Sequence, residues 1–206
     1  MCQTTDPTPV KPGRPRSAET HQAILEATLE QVARDGIHAT TIEAIAAQAG
    51  VGKTAIYRRW ESKDALILDA LSELQAQVRI ADSGNLRHDL VTFLHDLFHQ
   101  IETHPLLKGL LLRVLGEAEA RPEFLQVLID RLYMPRRQQW ESLFFQAKLR
   151  GEVRPEVELS TVASLIAGAV FYHLLTAQLI QLSTPHQELP ERIVDAILNG
   201  VGNAPK

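Results

Sequence analysis

Apolar positions recur along this chain at the helical interval of three and four residues almost everywhere. Ile24, Leu25, Thr28, Leu29, Val32 and Ala33 form a first stripe, with Ser17 as its N-cap, Glu19 in the first turn and Gly36 as its stop. Leu66, Ile67, Ala70, Leu71, Leu74 and Val78 form a second behind the cap residue Ser62. Leu90, Leu94, Leu97, Phe98 and Ile101 form a third, ended by His104-Pro105. Further helices are predicted over 106–119, 122–150, 157–182 and 187–199. Pro135 falls inside the fifth, where the missing N–H and the ring clash predict a kink or a split. Runs of alternating β-branched residues and Asn-Gly or Asp-Gly hairpin turns are both missing, so the predicted class is all-α.

Two stretches break the periodicity. Residues 1–16 hold four prolines and a glycine and predict a flexible arm, and Ala81-Asp82-Ser83-Gly84-Asn85 predicts a linker. Between them short helices predominate, and after them long ones.

The densest local pattern is TTIEAIAAQAGVGKTAIYRRW at 40–60. Thr40 and Glu43 have the spacing of a capping box. Ile42, Ile45 and Ala46 then make an apolar face barely two turns long, and Gly50 stands where a helix end favours a left-handed residue. Val51 and Ile56 resume the apolar pattern on a second short helix. Two short helices joined by a glycine-containing turn make a helix-turn-helix, with the small Ala46 allowing a close crossing. The second helix would expose Lys53, Thr54, Ala55, Tyr57 and Arg58, side chains suited to base edges and phosphates.

On the run Gly36…Thr40-Thr41-Ile42…Ile45-Ala46…Ala49-Gly50-Val51…Ile56-Tyr57-Arg58…Ser62-Lys63…Leu66, the chain resembles the TetR/AcrR family of transcriptional regulators. The resemblance covers residues 17–68 in detail and the remainder in architecture alone. Trp60 stands where the family usually has phenylalanine, and either ring fills an apolar socket. The resemblance implies a flexible basic arm over 1–16, a DNA-binding domain over 17–63 and a helical ligand-binding and dimerisation domain over 64–206. It implies that Thr41, at a helix start, meets a phosphate. Lys53, Thr54 and Ala55 would face base edges in the major groove. Tyr57 and Lys63 would reach phosphates, and Arg58 either a guanine or a phosphate. Gly13-Arg14-Pro15-Arg16 resembles arms that enter the minor groove, with Arg14 and Arg16 as its contacts. The same segment reads equally as a solubilising tail.

Charge changes this picture little. The net charge is −4, but residues 1–63 carry eight Lys and Arg against seven Asp and Glu, whereas the remainder carries thirteen against eighteen. The positive groups of the first part are clustered, which matters more to a phosphate partner than the whole-chain sum. Hydrophobic residues make up 45% and charged residues 22%, which excludes a mainly disordered chain or a low-complexity fibre. The single Cys2 closes no internal disulfide, and the polar N-terminus does not look like a signal peptide, so the expected location is cytoplasmic.

Three rival readings share these residues. Ala49-Gly50-Val51-Gly52-Lys53-Thr54 imitates a P-loop, but Ala47 stands where the first glycine is needed and a capped helix where the strand should be. Leu159 to Gln187 contains no Asp, Glu, Lys or Arg and has the length of a membrane span. Its interspersed Ser, Thr, Gln and His, and the lack of a basic C-terminal flank, favour a helix buried between two subunits instead. Small residues at Ala163, Ala167 and Gly168 would let helices approach there. His95 and His99 have the spacing of a metal pair but no identifiable third ligand, so no metal and no cofactor are expected. The sequence shows no HExxH, no GxSxG and no cysteine–histidine pair, and an enzyme is not expected.

The reading is therefore a homodimeric, DNA-binding transcriptional regulator, most simply a repressor on a palindromic operator that a small molecule releases. The alternative is a DNA-binding regulator with no inducer. Family resemblance implies an apolar or amphipathic effector in the larger domain, with Phe98, Leu112, Trp140, Phe144 and Phe171 lining its pocket.

Overall fold

A computed structural model describes the backbone over residues 15–103, 107–179 and 188–201. Side chains are described over the same residues except 15–17, 102, 107–109, 111, 112, 174, 176–179 and 201. Within them the chain is helical, without strands: α1 (Pro15–Ala39), α2 (Ile42–Gln48), α3 (Lys53–Tyr57), α4 (Lys63–Ala76), α5 (Leu86–Thr103), α6 (Leu107–Glu119), α7 (Pro122–Leu128), α8 (Met134–Leu149), α9 (Leu159–Leu179) and α10 (Leu189–Val201).

Three apolar cores organise these helices. Ile24 and Leu25 of α1 meet Ile42, Ile45 and Ala46 of α2, Ile56 of α3, and Leu66 and Ala70 of α4. Val32, Ile37, Ile67, Leu68 and Leu71 meet Leu110, Val114 and Ala118 of α6, with Phe124 and Leu128 of α7. The third core gathers Leu90, Leu94 and Phe98 of α5 with Trp140, Leu143 and Phe144 of α8, Val162 and Ile166 of α9, and Val194 of α10.

The division at residue 63/64 does not coincide with a break in packing. Leu66 and Ala70, four apart, face the first core, while Ile67, Leu68 and Leu71 face the second. A helix buried on two faces belongs to both halves, so α4 is the wall they share.

Several helix ends differ from the sequence expectation. α1 begins at Pro15, ahead of Ser17, because a proline's fixed φ suits a first helical turn. Gly36 interrupts the helix at φ 89° and ψ 169°, after which Ile37–Ala39 form a short further turn. The Thr40–Glu43 capping box does not form. Thr40 is buried and its hydroxyl donates to Gly36 O at 2.6 Å, so capping passes to Thr41, whose Oγ1 accepts from Ala44 N at 3.2 Å. Around Pro135 the chain neither breaks nor bends freely. A π turn over Ile129–Tyr133, with Met134 N–H reaching back to Ile129 O, carries α7 into α8 and places the proline in that helix's first turn.

Candidate nucleic-acid interface

The unit α2–turn–α3 is fixed from below. Ile45 and Ile56 are fully buried, and each such side chain contributes about 1.5–3 kcal/mol. The turn closes with Gly50 at φ 66°, Gly50 N donating to Ala47 O at 3.3 Å and Val51 N to Ala46 O at 2.9 Å. That pair of bonds is the Schellman arrangement and requires a left-handed residue at position 50. The P-loop imitation at 49–54 thus spans the turn and the first two residues of α3, and among the described residues no strand is present to hold a nucleotide.

Trp60 sits in the predicted apolar socket, 7% exposed, but its indole adds a polar requirement. Its Nε1–H donates to Asp69 Oδ2 at 2.8 Å, and its face stacks on His21 at 5.1 Å between ring centroids. Asp69 lies on α4, so the tryptophan ties that helix to α1.

With Ile56 facing inward, Lys53, Thr54, Tyr57 and Arg58 are exposed on the outer surface and Ala55 is half-buried among them. Tyr57 is 54% exposed although aromatic. Thr41 is exposed at the N-terminus of α2, with its hydroxyl proton still free to donate. Glu43, the expected partner of Thr40 in a capping box, instead reaches across the turn, accepting from Lys53 Nζ at 2.9 Å. This hydrogen bond holds the Glu43 carboxyl below its ordinary range and raises the Lys53 ammonium, so both stay charged around neutrality.

Lys63 also has partners within the chain. Its ammonium donates to Ile37 O at 2.9 Å, His38 O at 3.2 Å and Thr40 O at 2.8 Å, which engages all three of its N–H bonds. Carbonyls at a helix end lack helical partners and carry partial negative charge, and Ile37 and His38 lie in the last turn of α1 with Thr40 just beyond it. Arg16 lies in the first turn of α1 rather than in an extended arm, and its side chain, like the whole of Arg14, is outside the described residues.

In the larger half, Phe98, Trp140 and Phe144 are buried together. Trp140 meets Phe93 edge-on at 4.6 Å and stacks on Phe144 at 6.0 Å, and His173 leans on Phe98 at 4.7 Å. Phe171 departs from this group: it is 42% exposed, because on α9 it shares the outward face with Ser164, Leu165, Gly168 and Tyr172. The Leu112 side chain is outside the described residues. Ala167 and Gly168 are exposed on the same face and Ala163 is half-buried at its edge. No helix among the described residues is long and apolar enough to cross a membrane. Among them, too, no three His, Cys, Asp or Glu side chains are placed to hold a metal ion, and His95 Nε2 lies 2.8 Å from Glu191 Oε1 of α10.

Contacts that tie α1 and α4 to the later helices had no sequence signal. Glu117 accepts from His38 N at 2.8 Å, Arg121 pairs with Asp64, and Arg136 of α8 donates to Gln75 O at 3.2 Å and Val78 O at 2.7 Å. Partners 57 to 79 residues apart leave no local periodicity to read.

Comparison with known proteins agrees with this geometry. Residues 24–70 match the family described as bacterial regulatory proteins, tetR family, and residues 80–197 match the tetracyclin repressor-like C-terminal domain. The chain is 31% identical to the uncharacterized HTH-type transcriptional regulator YdeS of Bacillus subtilis, over 80% of its own length and 83% of that protein's. It is 30% identical to the HTH-type transcriptional regulator AqdR of Rhodococcus erythropolis, over 90% and 86% respectively. Among solved structures, FadR from Bacillus subtilis in complex with stearoyl-CoA shares the fold at a TM-score of 0.72 and 17% identity, covering 87% of this chain and 98% of that one. A helix-turn-helix that keeps its cationic and hydroxyl side chains outward, ahead of a helical second half matched over 80–197, is that of a TetR-family DNA-binding transcriptional regulator, and the chain belongs to that family.

Proposed function

We propose that the chain acts as a homodimeric repressor that binds a palindromic operator and leaves it when a small apolar or amphipathic molecule binds the larger half. The observation that carries the reading is the outer surface of α3, where Lys53, Thr54, Tyr57 and Arg58 stand exposed over a buried Ile56. Lys53, Thr54 and Ala55 would meet base edges, Tyr57 and Thr41 phosphates, and Arg58 either a guanine or a phosphate. Arg14 and Arg16 would add minor-groove contacts.

Dimerisation is supported by α9. Leu165 is 50% exposed, Phe171 42% and Tyr172 67%, all on one face beside Ala167 and Gly168. A second copy across a two-fold axis would cover that face, with α10 beside it. Release by ligand is supported by α4, which is packed into both halves, and by the aromatic core of Phe98, Trp140 and Phe144. A molecule that prefers a rearranged core shifts the protein toward a state in which α4, and with it the reading helix, stands elsewhere. The experiment is a mobility-shift assay on DNA upstream of the chain's own gene and its neighbours. A discrete complex that survives excess unrelated DNA is expected; equal retention of every duplex would contradict the reading.

A further inference from the structure

Between Gly36 and Trp60 the chain has one acidic residue, Glu43, and it stands on the outer surface. Its carboxylate lies 2.9 Å from Lys53 Nζ, with the two side chains 63% and 56% exposed. An ion pair this exposed adds little stability. A carboxylate on a face that meets phosphates also costs affinity for DNA of any sequence, because it works against counterion release by neighbouring cations. Its place in the first turn of α2 suits the helix dipole, as any acidic residue there would, but neither that nor affinity requires its reach to Lys53. The remaining use of a carboxylate in a major groove is to accept from a base, and the donors there are cytosine N4 and adenine N6.

The spacing of the pair suits that use. In any Watson–Crick pair the keto oxygen and the amino nitrogen bonded to it are about 2.9 Å apart. The oxygen keeps a second lone pair and the amino group a second N–H, both facing the major groove. A donor and an acceptor held 2.9 Å apart on the protein are the complement of that edge. The Lys53 ammonium has three N–H bonds, and after one is given to Glu43 it still has donors for a base.

We propose that Glu43 and Lys53 read as one unit, across a single base pair. Lys53 donates to guanine O6 or thymine O4, and Glu43 accepts from the cytosine N4 or adenine N6 opposite it. The unit therefore reports which strand carries the keto base, favouring G·C and T·A over C·G and A·T at one position of each half-site. This rests on the DNA-reading role of α3 given above, and it makes Glu43 a specificity-determining residue as well as the first-turn acid of α2.

The test measures equilibrium binding of the full chain to an operator found by selection, with each of the four base pairs placed in turn at every half-site position. Wild type, Glu43→Ala, Glu43→Gln, Lys53→Ala and the Glu43→Ala/Lys53→Ala double variant are compared, with unrelated DNA and a thermal melt for each. At one position the wild type should favour both keto-strand pairs by about tenfold. Glu43→Ala should abolish that preference while binding unrelated DNA as well as or better than wild type. Lys53→Ala should flatten the same position, and the double variant should flatten it no further. Glu43→Gln keeps the shape and adds an amide donor, so it should blunt the strand preference without moving the melt, which covers a folding defect in the alanine variant. The proposal is overturned if the two single alanine variants change different positions, or if loss of Glu43 weakens every sequence by one factor or changes none. A wild type without sequence preference would overturn the reading role itself, and the proposal with it.

Discussion

The carboxylate of Glu117, near the end of α6, occupies the place where a side chain at Gly36 would begin. A Cβ on Gly36 would stand 2.0 Å from Glu117 Oε1, on a backbone whose φ of +89° already disfavours one. Glu117 also accepts from His38 N, so α6 holds the turn that delivers α2. Gly36→Ala is expected to lower stability by about 1–3 kcal/mol from the backbone alone, with the clash in addition. Urea unfolding checks this. Adding Glu117→Ala should remove the clash and leave the backbone cost, giving a double variant less destabilised than the sum of the two.

Lys63 distinguishes two uses of one ammonium. Held by the carbonyls of Ile37, His38 and Thr40, it should cost about 1–3 kcal/mol of stability when replaced by methionine, which keeps the stem and drops the charge. The slope of log affinity against log salt should then match wild type. A slope lower by about one unit would mean that the ammonium leaves the carbonyls for a phosphate.

Arg136 holds the other end of α4. Its guanidinium lies 5.3 Å from the Phe93 ring centroid while donating to the carbonyls of Gln75 and Val78, and burial pushes its pKa below the ordinary arginine value. Arg136→Met should leave Val78 O without its donor and Gln75 O with only its backbone bonds, lower stability by about 1–3 kcal/mol and speed amide exchange over residues 74–79. Unchanged exchange there would show that the end of α4 is held by packing alone.

How much of this was legible in the sequence follows from the range of each interaction. α2, the left-handed Gly50, α3 and the cap at Ser62 are set by neighbours within a turn, and the pattern over 40–71 announced them. The outward position of Tyr57 follows from the inward position of Ile56. The Thr40/Thr41 exchange was not readable, because which hydroxyl caps α2 depends on which one Gly36 O captures first. The fate of Lys63 and the reach of Glu43 to Lys53 were hidden for the same reason: charged side chains choose partners that only the folded chain brings near. Phe171 shows the limit of composition, since an aromatic residue in an apolar helix reads as core until the helix's outward face is known.

Gly168 offers a clean probe of dimerisation. A Cβ there meets nothing within 4 Å in the single chain, so Gly168→Arg should fold as wild type does. On the face shared with Leu165 and Tyr172, however, it would place a buried, unpaired cation in a two-fold interface. Sedimentation should show a dimer for wild type and a monomer for the variant at micromolar concentration. An unchanged association state would move the interface elsewhere.

The central claim, that two copies of this helix-turn-helix read a palindrome together, is tested most directly by selecting bound duplexes from random DNA with the full wild-type chain. Enrichment is expected of an inverted repeat whose half-sites present the same groove face, about 34–36 Å or a multiple of it apart. Enrichment of a single unrepeated element, or no enrichment over the starting pool, would contradict it.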